Sequence, residues 1–319
     1  MTHPDAGAPG GSLVWRALDL LFLLRPTILA PAWLFFLAGY DRAGDLGVVT
    51  AGGGGRLLLS LAAFTALLGG VNVVNALADV RSDRENRKVF LVADGFVPVR
   101  RARRLAGTLF LAGAVGAAFF ESGYRWLFGL SMALGLAYSA PPFRWKGRAG
   151  LDFAANALGY GLLAFGVGWR TRGPLLATAL PAALPYVAAA ASLFVMTTLP
   201  DREGDARAGD RTLGVVLGGK VSHALALTLA AASAALGARA GDGGIALVAL
   251  GVLPFAVRSL LAGERSAELL TCRMGVLFFA ILLAVRFPLF GGWLLLVGLG
   301  TRWYHGRRWG LAYPSLTSR

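Results

Sequence analysis

Long apolar runs alternate with short polar segments along the whole chain. Most runs approach the roughly 20 residues that a helix needs to cross the hydrocarbon of a bilayer. The pattern predicts nine membrane-spanning helices: 17–40, 57–78, 104–121, 125–141, 152–169, 174–199, 215–237, 244–263 and 274–299. The third and fourth segments are short. The ninth contains Arg286 and Pro288, so we expect a kink or a division there.

The expected architecture is an all-α, polytopic membrane bundle of about nine helices with a polar site at its cytoplasmic side. Residues 1–16 form a polar N-terminal segment, residues 17–300 a single transmembrane domain, and residues 301–319 a basic and aromatic interfacial tail. The start of the chain lacks a basic stretch followed by an apolar core, so we expect no cleaved signal peptide.

Composition supports the membrane class and removes several alternatives. Charged residues make up 15% of the chain, whereas a soluble domain carries about 25%. With one cysteine, Cys272, and three scattered histidines, neither an internal disulfide nor a zinc or haem site is expected. The net charge of +14 comes from Lys and Arg that lie between apolar runs, so we expect no nucleic-acid partner.

Loop charge predicts an orientation. Lys and Arg concentrate in the loops after the second, fourth, sixth and eighth predicted helices. By the positive-inside rule these loops and the N-terminus face the cytoplasm, and the inner membrane of a cell is the expected location. The basic tail disagrees, because nine crossings would place it outside. Two explanations stay open: the tail lies along the membrane interface, or the ninth segment is two helices.

Two acidic stripes carry the candidate chemistry. Asn75, Asp79 and Asp83 follow an i, i+4, i+8 spacing that stacks their oxygens on one helix face. Asp201 and Asp205 repeat the i, i+4 spacing after the sixth predicted helix. Intramembrane acids are costly, which indicates a bound cation. The alternatives are a polar cap on the second predicted helix and, for Asp201 and Asp205, a helix N-cap and a solvated loop.

The oxygen-only composition of these stripes favours a particular metal. Carboxylate and amide ligands without His or Cys suit Mg²⁺, which keeps several waters and bridges to phosphate oxygens. We therefore predict a Mg²⁺ site formed by Asn75, Asp79, Asp83, Asp201 and Asp205, with the four aspartates as catalytic residues.

Basic residues beside the stripes would neutralise phosphate charge that the metal leaves. Arg87 and Lys88 follow the first stripe. After the fourth predicted helix the chain reads Tyr138-Ser139-Ala140-Pro141-Pro142-Phe143-Arg144-Trp145-Lys146. The double proline ends the helix and predicts an extended segment in which Arg144 and Lys146 point to one side. Tyr138 and Ser139 would donate hydrogen bonds. The combination indicates a diphosphate ligand, and ordinary positive-inside loop residues are the alternative.

These motifs resemble the UbiA superfamily of intramembrane prenyltransferases. The similarity rests on the first stripe, the Tyr-Ser-x-Pro-Pro-x-Arg-x-Lys motif and the second acidic stripe, in that order at helix ends. The resemblance implies a nine-helix bundle in which two Asp-rich motifs bind Mg²⁺ and an isoprenyl diphosphate. Arg25-Pro26 matches an early Arg-Pro of the family, which adds Arg25 to the diphosphate-binding candidates. The chain has Ala76 where many members have Asp.

The expected activity is transfer of a prenyl group from an isoprenyl diphosphate to an acceptor, with release of diphosphate. An aromatic quinone or phenol precursor is the first choice of acceptor, which implies isoprenoid and quinone biosynthesis. A lipid, carotenoid or tetrapyrrole acceptor is the alternative. An ion-coupled transporter, a different class, would place acids near helix midpoints rather than at one end. The expected partners are the two substrates and membrane lipids, with no obligate protein partner.

Overall fold

The computed structural model describes residues 12–48, 53–80, 91–207, 209–311 and 313. The predicted site residues Asp83, Arg87 and Lys88 lie outside these ranges. The described chain forms α1 (Leu13–Leu23), α2 (Pro26–Asp45), α3 (Gly54–Ala78), α4 (Val99–Ala118), α5 (Ser122–Ser139), α6 (Leu151–Leu158), a π-helical turn (Gly159–Ala164), α7 (Phe165–Arg172), α8 (Ala179–Thr198), α9 (Arg202–Arg207), α10 (Leu213–Arg239), α11 (Gly243–Ala262), α12 (Arg265–Arg286) and α13 (Pro288–Trp309).

Among these helices, six segments are long and apolar enough to cross a membrane: α3, the continuous α6–π–α7 span, α8, α10, α11 and α12. The pair α1 and α2, bent by 44°, makes a seventh if it counts as one span. The all-α, multi-pass class is confirmed, whereas the count of nine crossings stays a prediction. The domain boundaries after residues 16 and 300 also stay predictions. Each of these positions lies inside a helix, because α1 begins at Leu13 and α13 continues to Trp309.

The predicted ninth segment, 274–299, is divided into two helices. α12 ends at Arg286, Phe287 leaves the helical conformation, and Pro288 begins α13. Proline has no N–H to continue a helix, but it suits a first helical position. Arg286 lies 3.8 Å from both Asp41 and Asp45, at the last turns of α2. The division therefore occurs at the end of the bundle where α2 ends.

The second of these helices, α13, returns along α2. Phe290 lies against Trp33, with ring centroids 6.4 Å apart. Further along, the Tyr304 hydroxyl donates to Asp19 Oδ1 at 2.6 Å, and Arg308 Nη2 donates to Asp19 Oδ2 at 3.2 Å. Asp19 belongs to α1, so the last turns of α13 lie beside the N-terminal helix. Trp309, at the end of α13, also packs edge-to-face on Phe96 in the loop before α4, with ring centroids 5.9 Å apart. This arrangement supports the two-helix explanation and puts the end of α13 beside a basic loop.

A sharp break separates α1 from α2 and presents Arg25 toward the bundle. Arg25 adopts a left-handed conformation (φ 54°, ψ 65°), and Pro26 is the first residue of α2. The Asn72 side chain of α3 donates from Nδ2 to the Leu24 carbonyl oxygen at 2.8 Å, which satisfies an acceptor freed by the break. The break is thus held by a neighbouring helix.

The core is tightest where α2 meets α7. An added Cβ at Gly39 would lie 1.9 Å from the Phe165 carbonyl oxygen, and one at Gly168 would lie 1.8 Å from the Phe36 carbonyl oxygen. Only glycine permits this approach, in which two backbones are in direct contact, as in other membrane helix pairs that use small residues. The contact fixes the α6–π–α7 span against α2.

The same span changes pitch at its centre, where Gly159–Ala164 form a π-helical turn. Such turns are short and are frequent at functional sites. Gly161 packs on the backbone of α8, since an added Cβ would lie 2.4 Å from Val187 Cα. Gly159, Tyr160 and Ala164 instead line an internal cavity. The wide turn therefore lets one helix contact α8 and also form a cavity wall.

Candidate active site

A cavity of about 290 Å³ opens among α2, α3, α5 and the α6–π–α7 span. Polar residues line one part of it: Arg25, Asn72, Asn75, Ser131, Tyr138, Ser139 and Asn156. Apolar and aromatic residues line most of the remainder: Ile28, Leu29, Ala32, Phe64, Leu68, Val71, Leu134, Ala155, Tyr160 and Ala164. Four of the predicted site residues, from three separate chain segments, thus meet at one cavity. Its lining suits a ligand with a polar head and a hydrocarbon chain.

The loop after α5 folds back on the helix that precedes it. The amide of Arg144 donates to the Ala140 carbonyl at 2.9 Å, and that of Lys146 donates to the Tyr138 carbonyl at 3.1 Å. Arg144 has a φ of +37°. The prediction of an extended segment with Arg144 and Lys146 on one side is therefore wrong. The physical reason is that the last carbonyls of α5 lack helical partners, and this loop satisfies them.

This turn places Lys146 beside Asn75 and Asp79 of the first acidic stripe. Its Nζ donates to Asn75 Oδ1 at 3.0 Å and also to Asp79 Oδ1. Asp79 is the C-cap residue of α3. The side chains of Lys146 and Asp79 are 18% and 12% exposed. An ammonium group therefore lies between two oxygen ligands at a mostly buried position beside the cavity.

The second stripe divides between a half-buried and an exposed carboxylate. Asp205 accepts a hydrogen bond at Oδ2 from Thr212 Oγ1 at 3.1 Å. Burial raises the pKa of Asp205, and the negative charges of Asp201, Asp210 and Asp152 raise it further. The Asp201 side chain is 64% exposed. Burial first, and neighbouring carboxylates second, thus disfavour the charged form of Asp205.

Asp201 makes a different contact. Its Oδ1 lies 3.6 Å from Arg265 Nη2, at the start of α12. It is not among the residues that line the cavity. Its role as a metal ligand stays a prediction, as does the role of Arg144, whose side chain is half-buried in the loop after α5.

Backbone pairing joins the two loops that carry these residues. The Arg211 amide donates to the Gly147 carbonyl at 2.8 Å, and the Ala149 amide donates to the Arg211 carbonyl at 2.6 Å. Asp152, at the start of α6, accepts from the Leu213 amide at 3.2 Å and fixes the first turn of α10. The segment after Asp205 is therefore held beside the loop that delivers Lys146.

Tyr138 shows how near the two stripes are. The negative charges of Asp79, Asp205 and Asp152 all act on its hydroxyl group, which lies beside the Asn156 side chain. Since Tyr138 lines the cavity, one residue of α5 is within electrostatic range of both stripes.

The oxygen ligands fit a hard divalent cation. Within the described ranges, no three Asp, Glu, His or Cys side chains converge on one point. Asp79 and Asn75 nevertheless already hold a cation, the Lys146 ammonium, through oxygen atoms. The raised pKa of Asp205, caused first by burial and then by neighbouring carboxylates, indicates a second place where positive charge would be stabilising. Such oxygen ligands are the ones that Mg²⁺ prefers.

Four polar residues of the site were not predicted from the sequence: Asn72, Ser131, Asp152 and Asn156. Asn72 precedes Asn75 by one helical turn and also lines the cavity. Asp152 and Asn156 are one turn apart on α6, and Asn156 Nδ2 donates to the Asp152 carbonyl at 2.9 Å. The i, i+4 spacing of Asp152 and Asn156 inside an apolar run was the available signal, because polar pairs at membrane depth are costly.

The bundle and its half-polar cavity define a class: a multi-pass membrane protein with a cation-bearing pocket. A sequence profile of the UbiA prenyltransferase family matches residues 28–282. The match spans most of the chain, and the chain therefore belongs to the UbiA prenyltransferase family. The predicted family and the predicted enzyme class, prenyltransferase, are both confirmed.

Solved structures share the fold. A UbiA homologue from Archaeoglobus fulgidus bound to GPP and Mg²⁺ has a TM-score of 0.64 and 23% identity, covering 84% of this chain and 99% of that one. The apo structure of a homologue from Aeropyrum pernix K1 has a TM-score of 0.65 and 19% identity, covering 82% of this chain and 98% of that one.

A curated relative matches part of the sequence. Probable homogentisate phytyltransferase 2, chloroplastic, from Oryza sativa subsp. japonica is 31% identical over 154 residues. The match covers 46% of this chain and 40% of the rice protein, so it spans less than half the length of that relative.

Proposed function

We propose that this protein transfers a prenyl group from an isoprenyl diphosphate to a hydrophobic acceptor in a Mg²⁺-dependent reaction that releases diphosphate. The observation that carries the proposal is the Lys146 ammonium, held by Asn75 and Asp79 beside a cavity whose remaining walls are largely apolar. Hard oxygen ligands around a cation suit a metal and a charged headgroup, while the apolar walls suit a hydrocarbon chain.

The Mg²⁺ ligands would come from both stripes: Asn75, Asp79, Asp83, Asp201 and Asp205. When bound, the metal supplies positive charge that offsets the diphosphate and its developing leaving-group charge. For Asp201 this role requires a change of partner, because its carboxylate now lies 3.6 Å from Arg265.

The protein's own residues bind the headgroup and stabilise its departure. The predicted diphosphate-binding cations and hydroxyl groups would donate to diphosphate oxygens: Arg25, Arg87, Lys88, Tyr138, Ser139, Arg144 and Lys146. As the C1–O bond breaks, diphosphate keeps the electron pair, and these donors stabilise the negative charge that develops. The acceptor then forms its bond to C1 and loses a proton. Apolar walls exclude water, which would otherwise capture the allylic cation.

An aromatic quinone or phenol precursor is the acceptor we propose. The support is the partial similarity to a rice protein named as a probable homogentisate phytyltransferase. A lipid acceptor has support of its own, because a digeranylgeranylglyceryl phosphate synthase shares the fold with a TM-score of 0.63 at 16% identity. Carotenoid and tetrapyrrole acceptors use the same donor chemistry. The reaction would belong to isoprenoid biosynthesis, with quinone biosynthesis as the first expectation.

We further propose that the protein lies in the inner membrane with the site facing the cytoplasm. The support is the concentration of Lys and Arg in loops at the site end, joined there by the C-terminal turn of α13. An ion-coupled transporter is a weaker alternative, because the acids of the site cluster at helix ends beside basic loops rather than near helix midpoints.

The test is turnover by purified protein with labelled isoprenyl diphosphates and a panel of aromatic and lipid acceptors. We expect prenylated product and diphosphate with Mg²⁺ and neither in excess EDTA. Asp79→Asn and Asp205→Asn should each lower kcat at least hundredfold. The exposed carboxylate of Glu264 supplies the control, and Glu264→Gln should retain activity. Turnover that persists in EDTA, or in both aspartate variants, would refute the metal-dependent mechanism.

A further inference from the structure

A second, smaller cavity lies among α8, α10, α11 and α12. Its volume is about 50 Å³, and the proposed reaction leaves it without a role. Apolar side chains dominate its lining: Phe35, Leu193, Met196, Ile245, Val248, Val252 and Phe279. This volume exceeds the roughly 10–15 Å³ that one water molecule occupies on the same measure, so the space admits a small hydrocarbon group.

The few hydroxyl groups that line this second cavity already have partners. Ser192 Oγ donates to the Ala226 carbonyl at 2.7 Å, and Ser233 Oγ donates to the Pro185 carbonyl at 2.8 Å. Thr271 Oγ1 likewise donates to a backbone carbonyl one turn earlier, at 2.8 Å. With these donors satisfied, the cavity offers a ligand little except apolar contact. A polar acceptor head is therefore disfavoured, and a hydrocarbon is favoured.

Two aromatic rings separate the second cavity from the site cavity. Tyr160, on the π-helical turn, lines the site cavity, and Phe35 lines the second one. Their ring centroids are 6.0 Å apart. On its other side Phe35 packs edge-to-face on Phe279, at 5.1 Å between centroids. Ala32, one turn before Phe35 on α2, belongs to the site cavity. Tyr160 therefore forms the wall of the site cavity, and Phe35, directly behind it, forms the wall of the second cavity.

We propose that Phe35 determines the isoprenyl chain length that the enzyme accepts, and that the second cavity is a latent subsite for the distal isoprene units of longer donors. The inference rests on the proposed function. Phe35, 3% exposed, packs behind Tyr160 and leaves that ring no room to move away from a chain that has filled the apolar part of the site cavity. Removing the Phe35 ring gives the Tyr160 ring space to move aside, which joins the two cavities and extends the apolar path by the volume of the Phe35 ring and of the second cavity.

The test compares C20 with C10 isoprenyl diphosphate in competition, as the ratio of kcat/KM values. In Phe35→Ala the C20:C10 ratio should rise at least tenfold over wild type. The control is Phe278→Ala, which truncates a phenylalanine of α12 that lies outside both cavity linings and should leave the ratio unchanged. An unchanged ratio in an active Phe35→Ala enzyme would overturn the proposal.

A second variant tests the subsite itself from its far wall. A Cβ at Gly275 would lie 3.8 Å from the Leu193 and Val252 side chains, so a side chain fits there and projects into the second cavity. Gly275→Leu, added to Phe35→Ala, should return the C20:C10 ratio to within threefold of wild type. A ratio that stays high would show that long chains use another path and would refute the subsite.

The design also separates this inference from the proposed function. If Phe35→Ala does not fold, Phe35→Leu removes less volume and should still raise the ratio at least threefold, and an unchanged ratio there would overturn the proposal. Wild-type protein that turns over no isoprenyl diphosphate with any acceptor would refute the proposed function, and the chain-length role with it. Wild-type turnover with unchanged ratios in the variants would refute only the role of Phe35.

Discussion

Replacing Lys146 with methionine should make the protein bind a divalent cation more tightly when no diphosphate is present. The Lys146 ammonium donates to Asn75 and Asp79, and the two charged side chains are only 18% and 12% exposed. A metal that uses the same oxygens must displace this ammonium. Lys146→Met keeps the apolar stem and removes the competing charge.

The magnitude follows from the burial of the pair. Truncating one member of a buried ion pair costs about 3–5 kcal/mol, because the remaining charge loses a compensating partner. Asp79 has a further interaction besides Lys146, so the lower end of this range applies. With both groups still partly exposed, we take about 3 kcal/mol as the loss of stability in the metal-free variant. If half or more of that free energy is recovered on metal binding, the affinity rises about tenfold to hundredfold, at about 1.4 kcal/mol per factor of ten.

The assay is a titration with Mn²⁺, followed by its electron paramagnetic resonance signal, on purified protein without substrate. Arg148→Met is the matched control, because it removes an exposed cation two residues away in the same loop. With an isoprenyl diphosphate present, Lys146→Met should instead bind Mn²⁺ more weakly than the wild type, since the substrate then loses one of its cationic donors. Equal or weaker Mn²⁺ binding by Lys146→Met without substrate would refute the competition between ammonium and metal.

Other substitutions test the packing that supports the site. Gly39→Ala, whose Cβ would lie 1.9 Å from the Phe165 carbonyl oxygen, should destabilise the protein by about 3 kcal/mol or more, whereas Gly298→Ala, with open space around it, should not. Asp152→Ala leaves an α10 amide unpaired and should cost about 1–3 kcal/mol, with a raised KM for the donor. Arg308→Met leaves a buried aspartate without its cation and should cost about 3–5 kcal/mol, and a change below 1 kcal/mol in thermal unfolding would contradict this.

Helical periodicity was sufficient to bring together Asn75 and Asp79 of the first stripe. An i, i+4 spacing requires that Asn75 and Asp79 share a face, and both reach the same ammonium group. Residue spacing could not predict the path of the loop that carries Lys146. That path depends on which carbonyls α5 leaves free and on pairing between Gly147 and Arg211, which are far apart in sequence. Tertiary pairing of this kind has no local signal.

The last two helices, α12 and α13, were likewise only partly predictable from the sequence. Arg286 and Pro288 within one apolar run indicated a kink or a division, but hydropathy could not choose between a bent helix and two helices. The choice depends on partners elsewhere in the chain. Arg286 lies near Asp41 and Asp45, and α13 continues to Asp19, which is bound by two of its residues. The charge of the tail was the better clue, because it conflicted with an odd number of crossings.

The π-helical turn in the α6–π–α7 span has a consequence for how this fold tolerates change. An α-helix advances about 100° per residue, so one residue more or less rotates everything beyond it by that angle. Deleting one residue from 159–164 would restore a regular helix, but Gly168 would then turn away from the Phe36 carbonyl on which it packs. The extra residue therefore sets the register of the cavity-lining half relative to the half that packs on α2. Substitutions around the cavity are therefore tolerable where single-residue insertions or deletions in this span are not.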